Sequence, residues 1–290
     1  MEPGEPGVRV LHVRHESRVA AIRTAAGAAR LLREGLAERI AATGVPVEVV
    51  EVECRESGSS EVAEAFAVAG AVAQQVRHAL EEGLDVVVLS GSCHMGLGAV
   101  AGLPRGGRGV VWLDAHGDFN TPETSWSGLL DGMTLATITG RCWNALAATV
   151  PGFTPVLEDR VVMAGVRDLD PAEADLLEGS AVAVLTAERA SAAASDVLRA
   201  LGVRVDAVYL HVDLDVLDPS VGLANAFATP GGFSAADLRS FLGEAGRLCP
   251  VRVLGLASYD PEVDRGGGVA RAAVEAVVEW AEARAVRAAR

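Results

Sequence analysis

The feature that most constrains this chain is the alternation of short apolar runs with longer stretches of helical period. Eight runs rich in Val, Leu and Ile lie at 8–13 (VRVLHV), 47–53, 85–90, 109–113, 160–164, 181–185, 206–213 and 252–257. Helical period runs through about 19–43, 60–82, 131–147, 171–178, 190–201, 234–247 and 268–289. Strands that are apolar on both faces and separated by helices predict an α/β fold whose parallel sheet is covered on both sides. Such a sheet gathers its functional loops at the carboxyl ends of its strands. Two helix starts have a visible mechanism. Ser234 with Asp237 forms a capping-box pattern, and Asp170-Pro171 sets a carboxylate cap before a proline at the first helical position. No stretch reads as a linker, so 1–290 is taken as one domain.

Half of the positions are hydrophobic, which supplies a full core and excludes a disordered chain. A formal charge of −14 argues against nucleic acid, whose binding needs Lys and Arg on phosphates. Cys54, Cys93, Cys142 and Cys249 have no paired spacing and read as free thiols of a reducing compartment. The first residues, MEPGEPGVRV, lack the basic and apolar regions of a signal peptide, and no apolar run approaches the ~18 residues of a membrane span. The expectation is a soluble, cytoplasmic protein without membrane or nucleic-acid partners.

Three loops after predicted strands are rich in metal-ligand residue types: DAHGDFNTPETSWSGLLDGM (114–133), DLDVLDPS (213–220) and GSCHMGLG (91–98). In extended chain, residues two apart point the same way, so Asp114, His116 and Asp118 share a face, as do Asp213 and Asp215. With the two strands adjacent, these five side chains meet at one rim and form a mixed O/N site suited to two Mn²⁺-like ions. Without cations, four clustered Asp repel one another and raise each other's pKa. Taken singly, each loop is more often a set of turn-forming aspartates than a metal site; their joint occurrence points to metal. DLDVLDP is not an EF-hand, because Leu217 and Asp218 occupy ligand and glycine positions. Gly96-x-Gly98-x-x-Ala101 imitates a dinucleotide fingerprint but begins six residues after the strand, without the tight phosphate turn.

DAHGDFNTPET (114–124), HVDLDVLDPS (211–220) and GVRDLDPAE (165–173) together resemble the signatures of the arginase/agmatinase family of ureohydrolases. The resemblance spans nearly the whole chain. It implies a three-layer α/β/α fold with a mostly parallel eight-stranded sheet, and two divalent ions, Mn²⁺ in type, bridged by hydroxide. Asp114 and Asp213 would bridge the ions, Asp118 would complete one site, and His116 with Asp215 the other. Asp118 would also aim the hydroxide at a guanidinium carbon. Asn120 and Ser127 match positions that recognise an α-carboxylate, and Asp170 one for an α-amino group. The implied enzyme is a hydrolase of linear amidines that releases urea and an amine from a guanidino amino acid such as arginine or N-hydroxyarginine. A homo-oligomer, trimer or hexamer, is implied as well.

Three departures stand out. The family's first histidine ligand falls at Cys93, the branch with cysteine there including members that process hydroxyarginine; a one-residue shift would make His94 the ligand instead. A thiolate favours Zn²⁺ or Fe²⁺ more than Mn²⁺ does. The proton-shuttling histidine falls at Asp131, which serves as acid or base only with a raised pKa and otherwise caps helix 131–147. The glutamate that anchors the guanidinium falls at Ser258, which cannot pair a cation. Arg167 and Glu173 are expected to form a structural ion pair, and His211 shares the face of Asp213 as a partner that orients a ligand. The competing readings are a catalytically weak metal- or ligand-binding protein of this fold, and a hydrolase of another amidine such as formiminoglutamate.

Overall fold

The chain alternates strand and helix almost throughout. In the computed structural model, which describes residues 7–15, 24–53 and 60–288, the order is β1 (Val8–Val13), α1 (Ala25–Arg33), α2 (Leu36–Ala41), β2 (Val47–Val52), α3 (Glu61–Glu81), β3 (Asp85–Leu89), α4 (Met95–Gly102), β4 (Arg108–Leu113), α5 (Thr134–Ile138), α6 (Asn144–Ala147), β5 (Val161–Ala164), α7 (Pro171–Glu178), β6 (Ala183–Leu185), α8 (Ala187–Gly202), β7 (Ala207–Asp213), α9 (Ala235–Leu248), β8 (Val251–Ala257) and α10 (Gly268–Ala288). The strands form one sheet in the order β2-β1-β3-β8-β7-β4-β5-β6. All of its pairings are parallel. Cys54 and residues 19–23 of the first expected helix lie outside the described residues.

Side-chain parity builds the layers. Val111, Leu113, Leu210, Val212, Leu254 and Leu256 join one core with α9 and α10. Val110, Trp112, Tyr209 and Val253 point the other way, into a core with α3 and α4. The result is the three-layer α/β/α architecture. Register then brings the site-bearing ends level: Leu113 faces Val212, and both Leu89 and Val212 face Leu256. The loops after the four central strands β3, β8, β7 and β4 therefore open side by side at one edge.

Three expected elements differ. The helix over 19–43 breaks at Gly35, whose φ of +86° admits a left-handed turn between α1 and α2. The helix over 131–147 is a 3₁₀ turn, Asp131–Met133, followed by α5 and α6, with left-handed backbone at Gly140 and Trp143 between them. GSCHMGLG, expected as loop, runs into the buried helix α4. Its glycines serve packing: a β-carbon at Gly98 would press on Val72 of α3 and its backbone neighbour Ala69. The capping box of Ser234 and Asp237 forms as expected, a motif that contributes about 1 kcal/mol.

Candidate active site and metal centre

The acid cluster is assembled by turns rather than by simple strand alternation. Asp213 ends β7 and accepts the backbone N–H of Asp215 at 2.9 Å, closing a 3₁₀ turn over Leu214–Val216. Asp114 follows β4 and accepts the His116 N–H at 2.8 Å and the Trp112 indole N–H at 3.2 Å. His116 Nδ1 then lies 3.3 Å from Asp114 and 3.4 Å from Asp215. Asp118 takes left-handed backbone, φ +48°, a conformation that costs a non-glycine residue about 1–3 kcal/mol. Its carbonyl, accepting the N–H groups of Leu135 and Ala136, holds it there. The carboxylate is buried, and its Oδ2 has no partner.

From β3 comes Cys93, whose thiol donates to Asp213 at 3.1 Å and lies 3.2 Å from the Ser258 hydroxyl. Ser258, after β8, is itself left-handed at φ +59°, and its carbonyl accepts from Asn225, which also donates to Asp215 at 3.0 Å. His94 points elsewhere: its ring meets Phe66 of α3 edge-on at 4.7 Å. Cys93, not His94, faces the acid cluster. Asp131 accepts the Ser92 hydroxyl and the His94 N–H at the start of α4. It ties that loop down rather than capping a helix of its own.

Cys93, Asp118, Asp131 and Ser258 line a pocket of about 290 Å³ together with Asn120, Ser127 and Asp170. Asp170 does not cap α7 with its side chain. Its oxygens take the Asn120 amide at 3.3 Å and the exposed Trp126 indole N–H at 3.1 Å. The expected Arg167–Glu173 pair is absent too. Arg167 donates to the carbonyls of Gly165, Asp215 and Thr229, and Glu173 accepts the Phe119 N–H. Both side chains are drawn to backbone groups of neighbouring loops, which they satisfy by hydrogen bonding.

Burial and mutual repulsion set the electrostatics. Burial, then Asp215, pushes Asp114 up to about 6. Burial and neighbouring carboxylates hold Asp118 and Asp213 well above the usual range. Burial also raises Asp131, although its hydrogen bonds pull it back. Burial opposes the charge on His116, but Asp114 and Asp215 outweigh it and push the imidazole up to about 12. Two trios bring ligand atoms within 4.8 Å of one another: Asp114, His116 and Asp215, and Cys93, Asp114 and His211. Against burial, His116 and the Asn225 amide hold Asp215 below the usual range. A buried acid cluster with Asp114, Asp118 and Asp213 raised and an orphaned carboxylate oxygen fits divalent cations.

Sequence reasoning missed Asn225 and Trp126. Asn225 sits in an irregular stretch without a motif. Trp126 carried one signal, a large aromatic among the polar residues of a candidate ligand loop.

The profile of the Arginase family matches residues 13–281. The chain belongs to the arginase family. An arginase of Bacillus caldovelox is 35% identical over 176 residues, 57% of this chain and 58% of that protein. The chain thus spans less than two thirds of that relative's length. An N(omega)-hydroxy-L-arginine amidinohydrolase of Streptomyces lavendulae is 36% identical over 131 residues, 45% of this chain and 44% of that one. A crystal structure of arginase from Bacillus cereus superposes with a TM-score of 0.85 at 25% identity, covering 94% of this chain and 98% of that one. Among the described residues, no helix is long and apolar enough to cross a membrane.

Proposed function

We propose that this arginase-family chain is a metal-dependent amidinohydrolase that cleaves the guanidino group of an amino-acid substrate, arginine or N-hydroxyarginine in type, to urea and an amine. The observation that carries it is the convergence of Asp114, His116, Asp118, Asp213, Asp215 and Cys93 at a pocket that Asn120, Ser127 and Asp170 also line. Those first six residues would hold two divalent cations, Mn²⁺ in the family's usual form. Bound there, such ions supply offset of the carboxylate charge and a water acidified toward neutral pKa.

The chain's own residues do the rest. The free Oδ2 of Asp118 accepts a hydrogen bond from the attacking water and fixes its direction. Asp131, part-buried with a raised pKa and anchored by Ser92, takes up the proton that the attacking water gives up and passes it to the leaving amine as the carbon–nitrogen bond breaks. With Ser258 at the guanidinium end, recognition there is by hydrogen bond rather than by ion pair, which suits a guanidino group of lowered basicity. Asn120 and Ser127 meet the α-carboxylate, and Asp170 meets the α-amino group through the carboxylate that Trp126 steadies.

The test is urea release from arginine, N-hydroxyarginine, agmatine and formiminoglutamate, with and without a chelator. The expected result is turnover of the guanidino amino acids, little of agmatine, and none after metal removal. Ser258 favours a second reading, ligand binding without turnover. Saturable binding of these compounds with no urea from any of them would establish it.

A further inference from the structure

His211 lies on β7 two residues before Asp213, on the same side of the sheet, and is buried. Its ring stacks on Trp112, with centroids 3.7 Å apart and planes 17° apart. Nδ1 is 2.8 Å from the Tyr209 hydroxyl, and Nε2, fully buried, has no partner. The Tyr209 ring that steadies it fits a slot left by two glycines. A β-carbon at Gly96 would lie 3.0 Å from the ring, and one at Gly255 would overlap the hydroxyl. A ring nitrogen of His211 lies within 4.8 Å of both the Cys93 thiol and an Asp114 carboxylate oxygen. Since Nδ1 is engaged by Tyr209, Nε2 is the nitrogen left to coordinate.

The two ligand trios share Asp114 and differ in chemistry. Asp114, His116 and Asp215 offer oxygen and one imidazole, a hard set. Cys93, Asp114 and His211 offer sulfur, oxygen and imidazole, a softer one. We propose that His211 is a direct metal ligand that completes, with Cys93 and Asp114, an inner compartment selective for a softer divalent cation such as Zn²⁺ over Mn²⁺, next to an outer compartment that tolerates Mn²⁺. The inference rests on reading the acid cluster as a metal centre. It adds a ligand from β7 and an asymmetry between the two positions. Tyr209 is then a positioning residue: it accepts the Nδ1 proton and so leaves the Nε2 lone pair facing the ion.

The test uses the full chain loaded with a single equivalent of Zn²⁺ or Co²⁺. X-ray absorption of the Zn²⁺ form is expected to show one sulfur near ~2.3 Å together with imidazole nitrogen near ~2.0 Å. The Co²⁺ form is expected to show a thiolate charge-transfer band that Cys93→Ser abolishes. In His211→Gln, affinity for the first Zn²⁺ is expected to fall about tenfold or more, and in Tyr209→Phe by less, with Mn²⁺ uptake at the outer position kept. Should His211→Gln fail to fold, the absorption spectrum of the unaltered protein still decides. A shell of oxygen and nitrogen without sulfur, or a folded His211→Gln that binds Zn²⁺ as tightly as the parent, overturns the inference and leaves the metal centre standing. No divalent cation bound at any concentration overturns both.

Discussion

At the amino-terminal edge of the sheet, buried charges are matched. Asp85 lies between Arg252 and Arg284, and Arg9 pairs with Glu48 and Glu82. At the carboxyl-terminal edge Asp114, Asp118, Asp213 and Asp215 are equally buried, yet among the described residues their only side-chain ion-pair partner is His116. The first edge is built to be stable as it stands. The second keeps negative charge that its own side chains do not neutralise, and left-handed backbone at Asp118 and Ser258 aims groups into the same pocket. Charge that the fold leaves unpaired in its interior fits the cations proposed for this site.

That contrast breaks most sharply at Asp213. Asp213→Asn is expected to lower kcat/KM about a thousandfold or more, since bound cations supply several kcal/mol of transition-state stabilisation. In metal-free protein the same change is expected to raise the denaturant midpoint, because it removes a charge that burial and Asp215 disfavour. An unchanged or lowered midpoint would show that the acid edge carries no such strain. Asp131→Asn is expected to lower kcat about a hundredfold with KM little changed, the signature of a lost acid–base group. Equal loss of folding stability and activity would mark Asp131 as only a tie to α4.

The matched edge should respond with the opposite sign. Asp85→Asn leaves two arginines without their carboxylate and is expected to cost about 3 kcal/mol in urea unfolding, with metal content unchanged. In the pocket, Asp170→Asn is expected to raise KM for α-amino substrates about tenfold and to leave a guanidino carboxylate without the α-amino group, measured at saturation, unaffected.

The smallest effect is in pH. Asp114 and Glu173 rise on folding, from 3.8 to about 6 and from 4.5 to about 7, chiefly through burial. Groups raised in this way bind protons more tightly when folded. Their stabilisation is complete below the unfolded values and fades as pH climbs through 6 and 7. Melting of the metal-free protein should therefore fall between about pH 4 and pH 7, and saturating cation should flatten the trend. A rise over that interval would contradict the assignment.

The strands were legible because double-sided burial demands uninterrupted apolar runs, and the acid loops because D-x-H-x-D and D-x-D place like groups two apart. What was not legible depended on partners distant in sequence. The helix α4 is rich in glycine and poor in intrinsic propensity, and it forms because those glycines let it lie against α3. Asp170 looked like a helix cap, but Asn120 and Trp126, fifty and forty-four residues away, claim its oxygens. Parity placed His211 on the right face. Only the β4–β7 register, which sets it beside Trp112, brings a ring nitrogen of His211 within reach of Cys93 and Asp114.

Elemental analysis of protein stripped of metal and then reloaded tests the central claim most directly. The acid edge should take up two divalent ions per chain, fall below that in Asp213→Asn, and recover urea release in step with occupancy. Urea release that persists in protein carrying no divalent ion would contradict it.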